Sequence, residues 1–298
     1  MKENILVTGG EGFIGSNLIK RLLEQGHKVV SMDNHHSNKN TNKHDGCTYY
    51  YGDAFDLFST LGNHTPFDYI FHFGEYARVE QSFEDYDLVM DYNLMQFPEV
   101  LRFATHNDAK LIYSGSSTKF ANNTSAASPY AYTKAQNTEL LTNYSEWFGL
   151  DHTIVYFYNA YGNNEIDRGK YATVVGKFLR MVKEGATELP VTGTGKQLRN
   201  FTHVDDIVEG ILLAGFKGYG DNYGIGSDEQ HSILDLISYL GATPIFKEDK
   251  AGNRKNGKLV TDRTKALGWK PKRSLKTYIE ETLWIVQTME KYLYGLQH

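Results

Sequence analysis

A tyrosine and a lysine lie one helical turn apart in the stretch 128–134, SPYAYTK. Residues 130–148 are predicted to form a helix, so Tyr130 and Lys134 share one of its faces. An ammonium group beside a phenol stabilises the phenolate, which gives a base that works near neutral pH. Tyr132 has no lysine at the same offset. The pair therefore predicts a tyrosine base and a lysine that can also hydrogen-bond the ribose of a cofactor.

Hydroxyl side chains follow the next strand upstream, which is predicted at 109–114, in the run SGSST at 114–118. At the carboxyl end of a strand in a parallel sheet, such side chains point into the crevice where ligands bind. A serine there could share a hydrogen bond with a substrate hydroxyl that is being oxidised. A polar turn that caps backbone groups explains the same residues equally well.

A glycine-rich turn near the start of the chain predicts the cofactor. Gly9, Gly12 and Gly15 follow a short apolar run and open a segment with helical periodicity. In such a strand–turn–helix unit, glycines let the backbone approach a pyrophosphate at the helix N-terminus. Asp33 ends the second predicted strand about 20 residues past the last glycine, where a ribose-binding carboxylate is expected. Its carboxylate would repel a 2′-phosphate, so NAD is favoured.

The elements that must position these residues alternate between strands and helices up to about residue 160, which predicts a parallel sheet covered on both faces. We therefore predict an α/β fold with a Rossmann-type doubly wound sheet over 1–162 and a smaller mixed α/β substrate domain over 163–298, with some later segments returning to the first domain. The predicted strands are 4–8, 28–33, 47–51, 68–73, 109–114 and 152–158. The predicted helices are 12–25, 54–61, 83–106, 130–148, 171–184, 204–215 and 274–292.

Composition excludes several classes of function. The 298 residues carry a net charge of −5, which argues against nucleic acid as the main partner. Cys47 is the only cysteine, and no secretory signal or run of 18 apolar residues is visible. We expect a cytoplasmic protein with no membrane span. The histidines of segment 35–46 lack a ligand pattern, so we predict no metal site and expect a loop near the adenosine.

With these motifs, the chain resembles the extended short-chain dehydrogenases/reductases of the NAD-dependent epimerase/dehydratase family, which act on nucleotide-activated sugars. The resemblance covers nearly the whole chain. It implies a catalytic set of Ser116, Thr118, Tyr130 and Lys134. For the cofactor it implies Gly9, Gly12, Phe13, Ile14, Asp33, Asn34, Asp53, Phe73, Asn93, Tyr130, Lys134 and Tyr158.

On the substrate side, the resemblance implies that Asn159, Arg199 and Arg254 hold the sugar diphosphate. A guanidinium suits a diphosphate through its fork of donors, although a surface ion pair would explain either arginine as well. A homodimer is also implied, in which the helices at 83–106 and 130–148 pair with their copies. Leu88, Met95, Leu140 and Leu141 would supply apolar surface there or would face their own sheet.

The chain departs from the family pattern at four positions, which we interpret as the mark of a subfamily with its own sugar. Glu75 is an acid close to the cofactor and a candidate substrate-binding residue, and Arg78 is expected to pair with it or to reach the substrate. Lys119 replaces an apolar residue, and Tyr156 stands where an arginine is usual.

The implied reaction begins with oxidation at C4 of the sugar, the proton going to Tyr130 and the hydride to NAD. We expect a 4-epimerase, with net 4-dehydrogenation as the alternative. A dehydratase or a decarboxylase fits less well, because Ser117 and Thr118 stand where those relatives carry acids. An NAD-binding regulatory protein is the non-enzymatic alternative.

Overall fold

The computed structural model of the chain describes residues 2–37, 42–120, 127–248 and 258–295. In chain order the strands are β1 (Asn4–Thr8), β2 (Lys28–Asp33), β3 (Cys47–Tyr51), β4 (Tyr69–His72), β5 (Lys110–Ser116), β6 (His152–Phe157), β7 (Ala160–Tyr161), β8 (Glu188–Thr192), β9 (Thr202–His203), β10 (Gly220–Ile225) and β11 (Thr243–Lys247). The helices are α1 (Phe13–Glu24), α2 (Leu57–Leu61), α3 (Tyr86–Val89), α4 (Phe97–Asn107), α5 (Pro129–Phe148), α6 (Val174–Lys183), α7 (Val204–Lys217), α8 (Ile233–Tyr239), α9 (Asp262–Ala266) and α10 (Leu275–Gly295).

Seven strands form one parallel sheet in the order β10-β6-β5-β4-β1-β2-β3. The chain runs outward from β1 to β3, then crosses back to β4 on the other side of β1. This reversal creates a crevice beyond the carboxyl ends of β1 and β4, the place where doubly wound sheets bind ligands. The predicted fold class is confirmed.

Helices cover both faces of this sheet because its central strands are apolar on both sides. Ile5, Leu6 and Val7 of β1 are fully buried, and neighbours in sequence face opposite layers. Leu6 packs into a cluster with α2, α4 and α5, whereas Ile5 and Val7 join a cluster with α1 and α7. A strand that is buried on both faces has apolar residues at consecutive positions, which explains the apolar run in β1.

The second half of the chain contributes to two parts of the fold, the edge and one face of the main sheet and a separate apolar cluster. Strand β10 pairs with β6 at the edge of the main sheet, and α7 packs against that sheet with α1. Helices α6, α8 and α10 enclose a third apolar cluster with β8. Two short parallel pairs, β8–β11 and β7–β9, complete this part. The cluster is therefore built from segments that flank α7 and β10 in the sequence.

Three predicted elements differ from the structure. The helix expected at 54–61 starts as a 3₁₀ turn at Ala54–Asp56 and is α-helical only over α2. The single helix expected at 83–106 is divided into α3, a π-helical segment at Met90–Met95, and α4. Pro98 lies in the first turn of α4 and lacks a backbone N–H, so a regular α-helix cannot continue through this point. Strand β5 continues to Ser116 instead of ending at residue 114, so the serines at its end belong to the strand itself.

No helix within the described ranges is long and apolar enough to cross a membrane.

Candidate active site

The glycine turn between β1 and α1 lies in the crevice and is held there by close backbone packing. Gly9 has φ +69°, and a Cβ at this position would lie 2.7 Å from the backbone nitrogen of Gly74, which follows β4. A Cβ on Gly15 would lie 2.2 Å from the carbonyl oxygen of Gly9. Helix α1 follows with Gly12 as N-cap, no side-chain cap and no acid in its first turn. Its first N–H groups are therefore available to an anion.

Two predicted cofactor carboxylates lie along the same crevice. Asp33 ends β2, and its oxygens accept hydrogen bonds from the backbone N–H groups of Glu11 (3.0 Å) and His35 (2.8 Å). Asp33 and Asn34 line the cleft, and they also line a smaller recess together with Asp53. Asp53 caps the short 3₁₀ turn after β3 by accepting the N–H of Phe55 at 3.0 Å.

The tyrosine and the lysine reach the cleft from the first turns of α5. Ser128 is the N-cap, and its side chain accepts the N–H of Ala131 at 3.1 Å. Pro129 begins the helix, so Tyr130 and Lys134 follow one turn apart and both line the cleft with the glycine turn, Phe13, Ile14 and Phe73. The cleft encloses about 1100 Å³ of empty space, its open mouth included.

The ammonium of Lys134 is held mainly by a carboxylate. Its Nζ forms an ion pair with Oε2 of Glu75, and the two side chains are 3% and 1% exposed. Nζ also donates to the carbonyl oxygen of Ser114 at 2.7 Å and lies 4.9 Å from the ring centroid of Tyr113. The expected pairing of Glu75 with Arg78 is therefore replaced by a pairing with Lys134.

Three more side chains converge on the same carboxylate. Tyr113 donates its hydroxyl to Oε2 of Glu75 at 3.0 Å, and Asn137 donates its amide to Oε1 at 2.9 Å. Nε2 of His72 lies 3.5 Å from Oε1. Burial alone would raise the pKa of Glu75, but the charge of Lys134 and the nearby ring of His72 outweigh it and lower that pKa.

Ser116 and Thr118 lie beside this centre. Thr118 donates its hydroxyl to Oγ of Ser116 at 2.8 Å. Both line a cavity that adjoins the cleft, and Lys134 contributes to the walls of both spaces. The lysine thus connects the predicted hydroxyl pair with the side of the cleft that holds Tyr130.

Residues 166–171, which we call the strap, form part of one wall of the cleft. Ile166 and Tyr171 line the cleft. Arg78 donates from Nε (2.9 Å) and Nη2 (2.6 Å) to the carbonyl oxygen of Tyr171, so its guanidinium holds the strap. Asp85 accepts hydrogen bonds from the hydroxyl of Tyr171 (2.9 Å) and from Nζ of Lys170 (2.7 Å). A loop-rich second half of the chain is compatible with a substrate lid, but the contacts of Arg78 and Asp85 with the strap could not be predicted, because the partners are far apart along the chain.

The remaining departures from the family pattern form one cluster. Lys119 pairs with Asp221 of β10, and its Nζ lies 3.2 Å from the hydroxyl oxygen of Tyr156. Tyr156 donates to Oδ1 of Asp221 at 2.6 Å. Two unusual residues thus satisfy one carboxylate at the β6–β10 edge.

Several predicted site residues are turned away from the cleft. Asn93 is fully buried, and its amide bonds the backbone of Tyr76 and the hydroxyl of Thr133. The hydroxyl of Tyr158 donates to the carbonyl oxygen of Lys258 at 3.1 Å and accepts the N–H of Val260 at 3.0 Å.

The predicted diphosphate-binding residues lie in the second half of the chain. Asn159 has φ +39° and donates its amide to the carbonyl oxygen of Asn200 at 3.4 Å. Arg199, the neighbour of Asn200, forms an antiparallel bridge with His231. Arg254 lies outside the described residues.

The crevice therefore fits a dinucleotide. Its turn leaves no room for a Cβ at Gly9 or Gly15, its helix N-terminus lacks a side-chain cap, and a carboxylate ends β2. With Tyr130 and Lys134 in the same cleft, these features define an extended short-chain dehydrogenase/reductase. The model of the NAD dependent epimerase/dehydratase family matches residues 5–226, and the chain belongs to that family. Its cofactor is NAD, as the sequence predicts.

Relatives in this family carry out different reactions on nucleotide sugars. The chain is 30% identical to a UDP-glucose 4-epimerase of Mycolicibacterium smegmatis, over 93% of this chain and 96% of the relative. It is also 30% identical to a UDP-N-acetyl-alpha-D-glucosaminuronate decarboxylase of Bacillus cytotoxicus, over 79% and 78%. The crystal structure of a UDP-glucose 4-epimerase from Thermotoga maritima, solved with UDP-glucose, superposes with a TM-score of 0.86 and 28% identity, over 97% and 99%.

Proposed function

We propose that the protein is an NAD-dependent 4-epimerase of a nucleotide-activated sugar, working through a transient 4-keto sugar. The placement of Tyr130 and Lys134 in the cleft of the glycine turn supports oxidation of a substrate hydroxyl. The observation that carries epimerisation is the strap, because Ile166 and Tyr171 line the cleft and Arg78 and Asp85 hold the strap in place.

In this mechanism the chain supplies the base and the orientation. The hydroxyl oxygen of Tyr130 removes the proton of the C4 hydroxyl, and the ammonium of Lys134 stabilises the phenolate that does so. NAD, when bound, supplies the hydride acceptor. Ser116 and Thr118 line the adjoining cavity, so they would have to turn toward the cleft to hydrogen-bond the reacting oxygen. Tyr130 returns its proton when the ketone is reduced on its opposite face.

The strap favours recycling of the cofactor over its exchange. An epimerase regenerates its oxidised cofactor in every turnover, whereas a net dehydrogenase must release the reduced form and bind a fresh one. A wall segment that must move before a nucleotide can leave slows release, and such a motion often limits turnover. The contacts of Arg78 and Asp85 would each have to break before a nucleotide could leave on this side.

Loss of water or carbon dioxide from the sugar is less compatible with the residues present. Thr118 offers a hydroxyl where the dehydratases and decarboxylases of the family carry an acid. Its hydroxyl donates to Ser116 at 2.8 Å, and a threonine hydroxyl does not titrate near neutral pH. Similarity to a decarboxylase nevertheless makes a uronic acid nucleotide a useful test substrate.

We further propose that Asn159, Arg199 and Arg254 bind the sugar diphosphate and that the protein is a homodimer. For the dimer, Met95 is 64% exposed and Trp147 is 63% exposed, on the segments predicted to pair. Leu141, by contrast, is buried in its own core and offers no surface.

The deciding experiment incubates the purified protein with UDP-, GDP-, dTDP- and CDP-activated sugars, including a UDP-uronic acid. We expect NMR to show a C4 epimer that accumulates over many turnovers while NADH absorbance stays below one equivalent of enzyme. Stoichiometric NADH with a released ketone would establish a 4-dehydrogenase instead, and loss of carbon dioxide a decarboxylase. Retained NAD without turnover on any sugar would favour a regulatory protein.

A further inference from the structure

We propose that Glu75 is a positioning residue and the permanent internal counter-ion of Lys134, so that it reduces the stabilisation that this lysine gives to the phenolate of Tyr130. The inference rests on the proposed function only in taking Tyr130 and Lys134 as the reacting pair. It assigns Glu75 no contact with the sugar, in contrast to the substrate-binding role expected from the sequence.

The hydrogen bonds around Glu75 require its ionised form. An ionised carboxylate only accepts hydrogen bonds, and here Tyr113 and Asn137 donate to it while Lys134 pairs with it. His72 adds a ring nitrogen at 3.5 Å. A protonated Glu75 would have to place its own hydrogen against one of these donors. The carboxylate is therefore fixed in charge and in position at the wall of the cleft.

The ammonium of Lys134 has little freedom left. One of its three hydrogens faces Glu75, and another faces the carbonyl oxygen of Ser114 at 2.7 Å. Both side chains are almost entirely buried, so solvent screens their interaction weakly. Nζ also lies 3.4 Å from the hydroxyl oxygen of Ser114, so whatever the lysine donates to a cofactor or to Tyr130 shares its remaining hydrogen with that contact.

The other charged or titratable groups near Tyr130 and Lys134 do not supply a negative charge to Lys134. His72 approaches from β4, Tyr113 from β5, and Arg78 from the segment after β4. Arg78 already uses three of its donors on the carbonyl oxygens of Ala77 and Tyr171. Glu75 thus supplies the negative charge that contacts Lys134.

The electrostatic consequence has a definite sign. A nearby cation favours the phenolate, and a nearby anion disfavours it. Lys134 and Glu75 therefore act on Tyr130 in opposite directions, so the pair contributes less than a lysine alone would. Removing the negative charge while keeping the side-chain volume should let Tyr130 ionise at lower pH, because its phenolate then becomes the counter-ion of the buried Lys134.

The test follows ionisation of Tyr130 without any substrate. The ultraviolet phenolate signal is titrated in the NAD-loaded protein and in Glu75→Gln, and a Tyr130→Phe partner of each is subtracted to isolate one tyrosine. We expect the midpoint in Glu75→Gln to fall by about one pH unit, a tenfold change in ionisation. Tyr113→Phe is the matched control, because it removes a hydrogen bond from the same carboxylate but keeps its charge, and its midpoint should move far less.

An unchanged or higher midpoint in Glu75→Gln would overturn the inference, as would an equal shift in Tyr113→Phe. If Glu75→Gln does not fold, the double variant Glu75→Gln, Lys134→Met leaves no unpaired buried charge and serves in its place. Its midpoint should lie near that of the wild type, whereas Lys134→Met alone should raise it. If the midpoint of the double variant is as high as that of Lys134→Met alone, the charges of Glu75 and Lys134 do not act on Tyr130 in opposite directions, and the inference is refuted.

A second readout separates this inference from the proposed function. A buried negative charge at the cleft wall favours the positively charged oxidised nicotinamide over the neutral reduced ring. Glu75→Gln should therefore weaken binding of NAD⁺ relative to NADH, by severalfold in the ratio of the two Kd values. A constant ratio would contradict the counter-ion role even if the enzyme proves to be an epimerase, and a changed ratio would support it even if no sugar is turned over.

Discussion

Tyr130 and Lys134 are joined by one turn of α5, so their relative position depends on few other residues. If Tyr130 is the base, Tyr130→Phe should lower the rate of epimer formation at least about 100-fold, because a positioned base contributes 10²–10⁴-fold. The phenyl ring fills the same volume, so NAD should stay bound. Tyr132→Phe, on the same helix but 42% exposed, is the control and should keep its rate.

Initial rates by NMR, together with the bound nucleotide released on denaturation, provide the measurement. Full activity in Tyr130→Phe would remove Tyr130 from the mechanism. Loss of both rate and NAD would point to a binding role for the hydroxyl instead of a chemical one.

Residue-level prediction succeeded where chemistry depends on short spacing. The glycine turn and the pair on α5 each occupy a few consecutive positions, and the structure brings both to one cleft. The partner of Lys134 was not predictable in this way. Glu75 follows β4 and Lys134 lies on α5, so their contact exists only after β4 and β5 have paired and α5 has packed against them. Their roles in catalysis stay predictions.

At the scale of elements, the strap depends on Asp85. Burial alone would raise the pKa of Asp85, but hydrogen bonds from Lys170, Tyr76 and Tyr171 outweigh it and lower that pKa. Asp85 is therefore ionised, and holds the strap, at every pH above the range near pH 4 where an aspartate usually titrates. Its contribution is lost only as the pH falls through the lowered pKa of Asp85. The part of NAD retention that depends on Asp85, measured as the difference between wild type and Asp85→Asn, should therefore be constant from about pH 8 down to about pH 5.

Asp85→Asn should release NAD about tenfold faster, since it replaces charge-assisted hydrogen bonds with neutral ones. Glu84→Gln is the matched control. Glu84 also contacts Lys170, at 3.1 Å, but it is 78% exposed, so its loss should change the rate less than about twofold. The dissociation rate is measured by capture of the released nucleotide. Equal rates in wild type and Asp85→Asn would show that the strap does not retain the cofactor.

A second carboxylate anchors the base of the strap and titrates in a different range. Burial raises the pKa of Glu165 to about 7, even though Thr173 donates a hydrogen bond to it. Between about pH 4.3, where a glutamate titrates in the unfolded chain, and about pH 7, the folded protein keeps a proton that the unfolded chain has lost. Stability should therefore fall as pH rises through this window.

Glu165→Gln should remove that slope, because an amide does not titrate, and should give a higher Tm than the wild type above about pH 7. Thermal unfolding of both proteins from about pH 5 to about pH 8 provides the comparison. Parallel curves would mean that Glu165 ionises normally.

The elements were predicted well where the sequence has a clear period and poorly where one residue breaks it. Each strand of the sheet up to β6 lies within two residues of its predicted range. Helix 83–106 was wrong in its continuity because its apolar pattern persists through the π-helical segment at Met90–Met95, while Pro98 prevents regular hydrogen bonding there. A periodic pattern records which side chains are buried and does not record that local change in backbone hydrogen bonding.

At the scale of the whole molecule, the fold class follows from alternation of strands and helices, which allows few topologies. The return of β10 to the edge of β6 is a long-range pairing, and its sequence, GDNYGI, has little strand character. Its position is stabilised by neighbours: the Nη atoms of Arg263 donate to the carbonyl oxygens of Asp221 and Tyr219. A return of later segments to the first domain was expected from the sequence, but the strand that returns was not identified.

The exposed apolar side chains of the described residues are distributed in a way that bears on the dimer. Trp147 and Phe148 end α5, and Met95 precedes α4; all three are more than half exposed. Helices α4 and α5 pack side by side, with the hydroxyls of Thr105 and Tyr144 3.3 Å apart. Met95 lies just before the start of α4 and Trp147 and Phe148 at the end of α5, so an interface that buries all three would run along the whole face of this helix pair.

If this face forms the homodimer, Trp147→Glu combined with Met95→Glu should convert the protein to a monomer, because a charge in the buried centre of an interface cannot be solvated. Light scattering after size-exclusion chromatography gives the mass in solution, for comparison with twice the chain mass of 33.9 kDa. Trp284→Glu is the control, since Trp284 is equally exposed at 66% but lies on α10, and it should leave the dimer intact. Dissociation by the control alone would place the interface on α10, and a wild type of single-chain mass would refute the dimer itself.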